Sequence, residues 1–177
     1  MKNKIVLLIV IVLVFSCANP IPRKPITRNS STFLNESIQR NKKVNKLEEV
    51  AFLEIIKKDS IHDYMSSANG FWYTYLVKDS VATKLPARGD ELTYSYTIKD
   101  INGQVLYTEE DLGERNYIVD KQELITGLQD GLKLMKEDEV VVFLFPSHKA
   151  YGYSGYQKIE SNQPLIYIVK LKKIISK

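Results

Sequence analysis

The spacing of apolar and polar residues changes along this chain, and each change marks an element. Between residues 41 and 60 apolar positions recur at helical spacing. Val44, Leu47, Ala51 and Ile55 form a stripe, widened by Val50, Phe52 and Ile56, with Lys and Glu opposite. Such a helix either packs on its own domain or serves as a dimerisation or docking surface, and the pattern alone allows both. Asp59-Ser60 and then Ser66-Ser67-Ala68-Asn69-Gly70 break the pattern. Beyond Gly70 the period falls to two. Residues 71–77 have strand composition, Leu92, Tyr94, Tyr96 and Ile98 alternate with Thr93, Ser95 and Thr97, and Leu165, Tyr167, Val169 and Leu171 alternate again. Asp100-Ile101-Asn102-Gly103 supplies a hairpin turn, because Asn-Gly tolerates positive φ, and residues 105–108 form the returning strand. Leu128, Leu132 and Met135 share one face of a short helix. Val140–Phe145 is a continuous apolar run, too short for a lone helix and rich in β-branched and aromatic residues. Many short strands, mostly antiparallel, with one short helix give an α+β domain. There is no internal repeat.

The first residues follow another logic. Lys2 and Lys4 precede an uncharged apolar run over residues 5–15 that ends in Ser16-Cys17. This reads as a secretory leader, too short for a comfortable membrane span. Val14-Phe15-Ser16-Cys17 resembles a bacterial lipoprotein lipobox, although Phe15 is bulkier than the usual residue there. That resemblance implies a leader over residues 1–16, a lipid on Cys17 and attachment to a membrane. Ala18 directly after the cysteine points to the outer membrane, facing the periplasm, since Asp there favours inner-membrane retention in some bacteria. Cys17 is the sole cysteine, so the chain forms no internal disulfide. Residues 17–32, with Pro20, Pro22 and Pro25 among Arg, Asn and Ser, read as an extended tether. A helical region over 33–69 and a main domain over 70–177 complete the chain.

Composition narrows the function. With 44% hydrophobic and 26% charged residues the chain is globular material. Its formal charge is +4, or +2 once Lys2 and Lys4 leave with the leader, which is no nucleic-acid footprint. Two histidines and one cysteine imply no metal site. Ser147-His148 lacks a marked acid partner, and adjacent residues at a strand end face different ways, so the pair does not make a hydrolase; His148 reads as a solvated loop residue. Glu109-Glu110-Asp111 and Glu137-Asp138-Glu139 read as solvated turns.

The succession Gly127-Leu128-Gln129-Asp130-Gly131, Val140–Phe145-Pro146 and Ala150-Tyr151-Gly152, with Glu123-Leu124-Ile125 upstream, resembles the FKBP-type peptidyl-prolyl isomerase domain over residues 70–174. The resemblance implies an antiparallel sheet wrapped around a short helix, here preceded by the amphipathic helix, and catalysis of cis/trans exchange at X–Pro bonds. Uncatalysed rotation faces a barrier of ~18–20 kcal/mol because amide resonance must be broken. No covalent bond is cleaved, so the reaction calls for no cofactor, metal or nucleophile. A dry pocket favours the twisted, less polar transition state over the planar ground state. Matching on Gly89, Gly103, Gly127, Gly131 and Tyr151-Gly152 carries the family's pocket onto this chain. Tyr96 and Leu106 become walls and Tyr117 an aromatic entering the pocket. Leu124 and Ile125 become the aliphatic pair whose second N–H holds the substrate carbonyl, and Leu128 the floor. Tyr151 becomes the hydroxyl that bonds the peptide, Ile159 a loop aliphatic and Tyr167 the final-strand aromatic. Two departures stand out. Tyr107 occupies the place of the family's pocket Asp, and Arg115-Asn116 the place of another aromatic. The implied partners are proline-containing polypeptides, with an apolar residue expected before the proline. Gly70-Phe71-Trp72-Tyr73 and the lipid-anchored layout also resemble the gliding-motility-associated FKBP lipoproteins of Bacteroidetes, which implies clients in motility or secretion machinery. The alternative is an FKBP-fold binding module or chaperone with little turnover, for which Tyr107 is the main support.

Overall fold

The computed structural model describes residues 30–81 and 83–176; the leader, Cys17 and the tether as far as residue 29 lie outside the described residues. Helix α1, Ser30–Lys58, opens the described chain, and its first residues belong to the span read as an extended tether. Residues Ser37–Lys177 form one unit, which holds most of α1 and every strand.

Seven strands make a single sheet: β1 (Met65–Ser66), β2 (Trp72–Val77), β3 (Glu91–Asp100), β4 (Val105–Tyr107), β5 (Arg115–Ile118), β6 (Val140–Phe145) and β7 (Leu165–Ile175). Their order is β1-β2-β6-β7-β3-β4, with β5 also on β3, and every pairing is antiparallel. The connection 100–104 is held by more than its Asn-Gly pair. Only Gly103 takes positive φ (84°), while the Asp100 carboxylate accepts the N–H groups of Asn102 and Gln104 at 2.9 and 2.8 Å.

The uninterrupted apolar run of β6 has a simple cause: both its faces are covered. Val141, Phe143 and Phe145 meet Leu165, Tyr167 and Val169 in the main core, together with Leu128, Leu132 and Met135. Val142 and Leu144 look the other way and pack with Phe52, Ile55 and Ile56 of α1. Helix α3, Thr126–Leu132, lies across the main face because its glycines let it approach closely. A Cβ on Gly127 would stand 2.6 Å from the Phe145 ring, and one on Gly131 would stand 3.0 Å from Phe143.

Helix α1 thus packs on its own sheet, largely through the expected stripe, with Leu47 and Val50 left out of it and Glu48 added. Phe52 is buried, but Leu47, assigned to the stripe, is 61% exposed. Glu48 goes under instead, at 6% exposure. Its carboxylate accepts the Ser147 N–H at 2.9 Å and the Ser147 hydroxyl at 2.6 Å, which gives a buried polar group the partners it needs. Ser147 is therefore a structural anchor, and His148 is exposed. Glu139 corrects a second expectation. Read as part of a solvated turn, it is 1% exposed and accepts the N–H groups of Asp79 and Lys136 at 3.0 and 2.8 Å. Glu109-Glu110-Asp111 likewise is no plain turn: it starts helix α2, Glu109–Leu112, closed by a capping box between Thr108 and Asp111.

Candidate active site

The alternation of β3 puts Leu92, Tyr94, Tyr96 and Ile98 on the side of the main core. An open cavity of about 480 Å³ lies on that side. Its inner wall is Tyr96 and Ile98 from β3 and Tyr151 from the Ala-Tyr-Gly loop. Behind Tyr96 stands Tyr167 of β7, with ring centroids 5.5 Å apart and planes 14° from parallel. Tyr94 stacks on Tyr96 at 5.7 Å, and Phe145 meets Tyr167 at 5.3 Å, so an aromatic ladder joins the cavity wall to the core. Ladders of this kind hold each ring in one orientation.

Burial, with Tyr151 next to it, pushes the Tyr96 hydroxyl above the usual tyrosine range, and Arg115 partly opposes this. Burial does the same more strongly to Tyr167, again with Tyr151 beside it. Both hydroxyls accordingly stay protonated near neutrality, able to donate a hydrogen bond. Tyr117 and Leu128 are buried in the core, at 0% and 2% exposure, and Ile159 is buried at 3%. None of the three lines the cavity. Leu106, Leu124 and Ile125 are half-buried against the same core. Among the described residues the Ile125 N–H, at the start of α3, has no acceptor.

Apart from Arg115, the outer wall was missed by sequence reasoning. It consists of Asp111 and Leu112 of α2, Arg115 at the start of β5, and Tyr156, Gln157 and Lys158. The last three sit on a tight turn in which Tyr156 and Ile159 exchange backbone hydrogen bonds at 2.9 and 2.8 Å. Gly155 enters that turn at φ 62°, where a Cβ would stand 2.6 Å from the Ile159 carbonyl oxygen. Tyr156 stacks on Tyr151 at 5.3 Å, and Tyr107 holds the turn from the other side. The Tyr107 hydroxyl donates to Gln157 Oε1 at 3.0 Å and accepts the Lys158 N–H at 3.2 Å, while the Lys158 ammonium lies 5.0 Å over the Tyr107 ring. Tyr107, where the resemblance expects an acid, is thus the post to which the 156–159 turn is fastened. Asp111, four residues on, does face the cavity, but its carboxylate is held by the Thr108 N–H and hydroxyl, which keep it below the usual aspartate range.

A sequence model of the FKBP-type peptidyl-prolyl cis-trans isomerases matches residues 82–172, which include the aromatic ladder, α3 and the 156–159 turn. The chain belongs to the FKBP-type peptidyl-prolyl isomerase family. The protein named probable FKBP-type peptidyl-prolyl cis-trans isomerase FkpA, from Neisseria meningitidis serogroup B, is 30% identical over 141 residues, covering 78% of this chain and 50% of that protein. Peptidyl-prolyl cis-trans isomerase FKBP9 of Mus musculus is 23% identical over 116 residues, 64% of this chain and 20% of its own length. The chain therefore spans half or less of these relatives. Among solved structures, a peptidyl-prolyl cis-trans isomerase of Pseudomonas syringae pv. tomato superposes with a TM-score of 0.62 at 18% identity, over 76% of this chain and 96% of that one. FkpA of Escherichia coli gives 0.61 at 19% identity, over 99% and 82%. These likenesses show the FKBP-like fold: an antiparallel sheet about a short helix, with a long helix in front. In this FKBP-type chain no group of three or more His, Cys, Asp or Glu among the described residues could hold a metal ion.

Proposed function

We propose that the protein is a peptidyl-prolyl cis-trans isomerase that assists the folding of polypeptide clients at a bacterial envelope. The observation that carries this reading is the cavity walled by Tyr96 and Tyr151 over Tyr167, in a chain of the FKBP-type family. The chemistry asks only for shape and surroundings. A proline ring entering between Tyr96, Ile98 and Tyr151 loses water, and a twisted amide, less conjugated and less polar than the planar one, loses less by that desolvation. The Ile125 N–H and the Tyr151 hydroxyl are the donors proposed to hold the peptide, with Leu106, Leu124 and Leu128 as its apolar backing and Tyr117 and Ile159 supporting the wall from the core. A lipid on Cys17 would keep the domain at the membrane, and clients in motility or secretion machinery fit the Gly70-Phe71-Trp72-Tyr73 segment.

The rival reading, a binding module with little turnover, takes its support from Tyr107, which ties down the turn beside the cavity. Exchange spectroscopy by NMR on short Xaa-Pro peptides separates the two. Acceleration by catalytic amounts of the protein is expected. Tyr151→Phe removes one hydrogen bond worth ~0.5–1.5 kcal/mol and should cost at most about tenfold in kcat/KM. Binding without acceleration, at several different residues before proline, would leave the binding module standing.

A further inference from the structure

Three charged side chains line the cavity, and two of them are already occupied. The Asp111 carboxylate is taken up by Thr108 in the cap of α2. The Lys158 ammonium rests on the Tyr107 ring and donates to the Leu106 carbonyl at 3.4 Å. Arg115 is different. It is exposed at the start of β5, opposite Tyr94 of β3, and among the described residues no carboxylate lies within 4.0 Å of its guanidinium. Glu114, its neighbour in the chain, and Glu109 are both engaged elsewhere. Lys172 of β7 gathers both, holding Glu114 at 2.9 Å and Glu109 at 3.2 Å. The resemblance read from the sequence implies an aromatic where Arg115-Asn116 stand; the side chain that lines the cavity there is this free cation.

Resting on the isomerase reading, we propose that Arg115 makes the cavity select proline segments with an acidic side chain immediately before the proline. A guanidinium offers planar, paired donors that fit a carboxylate, and here they carry no competing partner. The residue before proline belongs to the amide that twists, so its side chain stays within one residue of the ring and falls at the cavity rim. The field of Arg115 already reaches the inner wall, where it counteracts the effect of burial on the Tyr94 and Tyr96 hydroxyls. This replaces the expectation of an apolar preference, which drew on Leu106, Leu124, Ile125 and Leu128. None of those four side chains lines the cavity.

The test is NMR exchange on peptides of the form Ala-Xaa-Pro-Phe, with Xaa as Glu, Gln, Lys or Leu, at low ionic strength. The wild-type protein should favour Glu over Gln by about two- to fivefold in kcat/KM, the range of an exposed ion pair, and the preference should fade with added salt. Arg115→Lys should keep the order, and Arg115→Glu should reverse Glu against Lys. A Glu-to-Gln ratio that is the same in wild type and in Arg115→Glu overturns the proposal. If no peptide is isomerised faster, the isomerase reading fails separately. Chemical-shift titration with the same peptides then decides: tighter Glu-Pro binding that Arg115→Glu reverses upholds the role of Arg115, and indifference overturns it.

Discussion

At the scale of single residues, the most informative position is Tyr107. Judged from the resemblance alone, Tyr107→Asp should restore a missing acid and raise activity. The structure argues the opposite, because the Tyr107 hydroxyl makes two hydrogen bonds to the 156–159 turn and its ring carries the Lys158 ammonium. An aspartate there would reach neither Gln157 nor the ammonium in the same way. Tyr107→Phe is the cleaner change, since it keeps the ring and removes only the hydroxyl. We expect it to speed amide hydrogen exchange at residues 156–159 while leaving the strands unchanged, and to alter kcat/KM by a few-fold, the scale of ~1 kcal/mol. Tyr107→Asp should free the turn further and lower efficiency. A rise in activity in Tyr107→Asp would mean that the turn is not fastened by this residue. The same position shows why the site was only half legible. Tyr96 and Tyr151 were found because one sits in a clean alternation and the other in a short motif. Gln157, Lys158 and Leu112 carry no periodic signal, and only the path of the turn and of α2 brings them to the cavity.

At the scale of elements, helix α1 shows where a hydrophobic pattern misleads. Val44, Ala51, Phe52 and Ile55 of the expected stripe are buried or half-buried, yet Leu47 is exposed and Glu48 takes its place underneath. A helix turns by a hundred degrees per residue, so neighbouring stripes differ by one position, and a glutamate is normally counted as solvent-facing. What reverses that count is Ser147, whose N–H and hydroxyl both point at the Glu48 carboxylate, a partner ninety-nine residues away that no local pattern shows. Three substitutions separate the stripes, read by urea unfolding with constant slope. Phe52→Ala should cost ~3–5 kcal/mol, as a large aromatic removed from a packed site does. Glu48→Ala strands the buried Ser147 N–H and should cost ~1–3 kcal/mol. Leu47→Ala, at an exposed position, should stay within ~0.5 kcal/mol. Equal losses at Leu47 and Phe52 would put the helix in a different rotation. By contrast β6 was read correctly from composition, because a strand buried on both faces has no polar side to alternate with.

At the scale of the whole molecule, the unit divides into a stiff part and a loosely held part, and the cavity lies between them. Strand β3 pairs with β7 along its full length, from Glu91 opposite Ile175 to Asp100 opposite Leu165, and β6 is flanked by β2 and β7. Tyr96 and Ile98 of the inner wall, and Tyr167 behind them, belong to those paired strands. The outer wall belongs to α2 and the 156–159 turn, held by the Tyr107 hydroxyl and ring, the Tyr151–Tyr156 stack, a single backbone pair and the buried Ile159. A client has to enter between a wall that cannot move and one that can. Apart from Ile159, buried in the core, and Leu112, packed against it, the second is largely exposed, which places residues 156–158 toward the low end of local unfolding free energies. Native-state hydrogen exchange should therefore rank the amides of β3, β6 and β7 slowest, near the global unfolding limit, and those of residues 155–160 fastest. Adding a saturating Xaa-Pro peptide should slow exchange at 155–160 and at the Ile125 amide while leaving β6 and β7 where they were. Uniform protection across all strands on binding would point instead to global stabilisation by ligand linkage, with no part for the turn. Protection of the turn equal to that of β7 in the free protein would make the outer wall as rigid as the inner one, and entry would then have to occur without its opening.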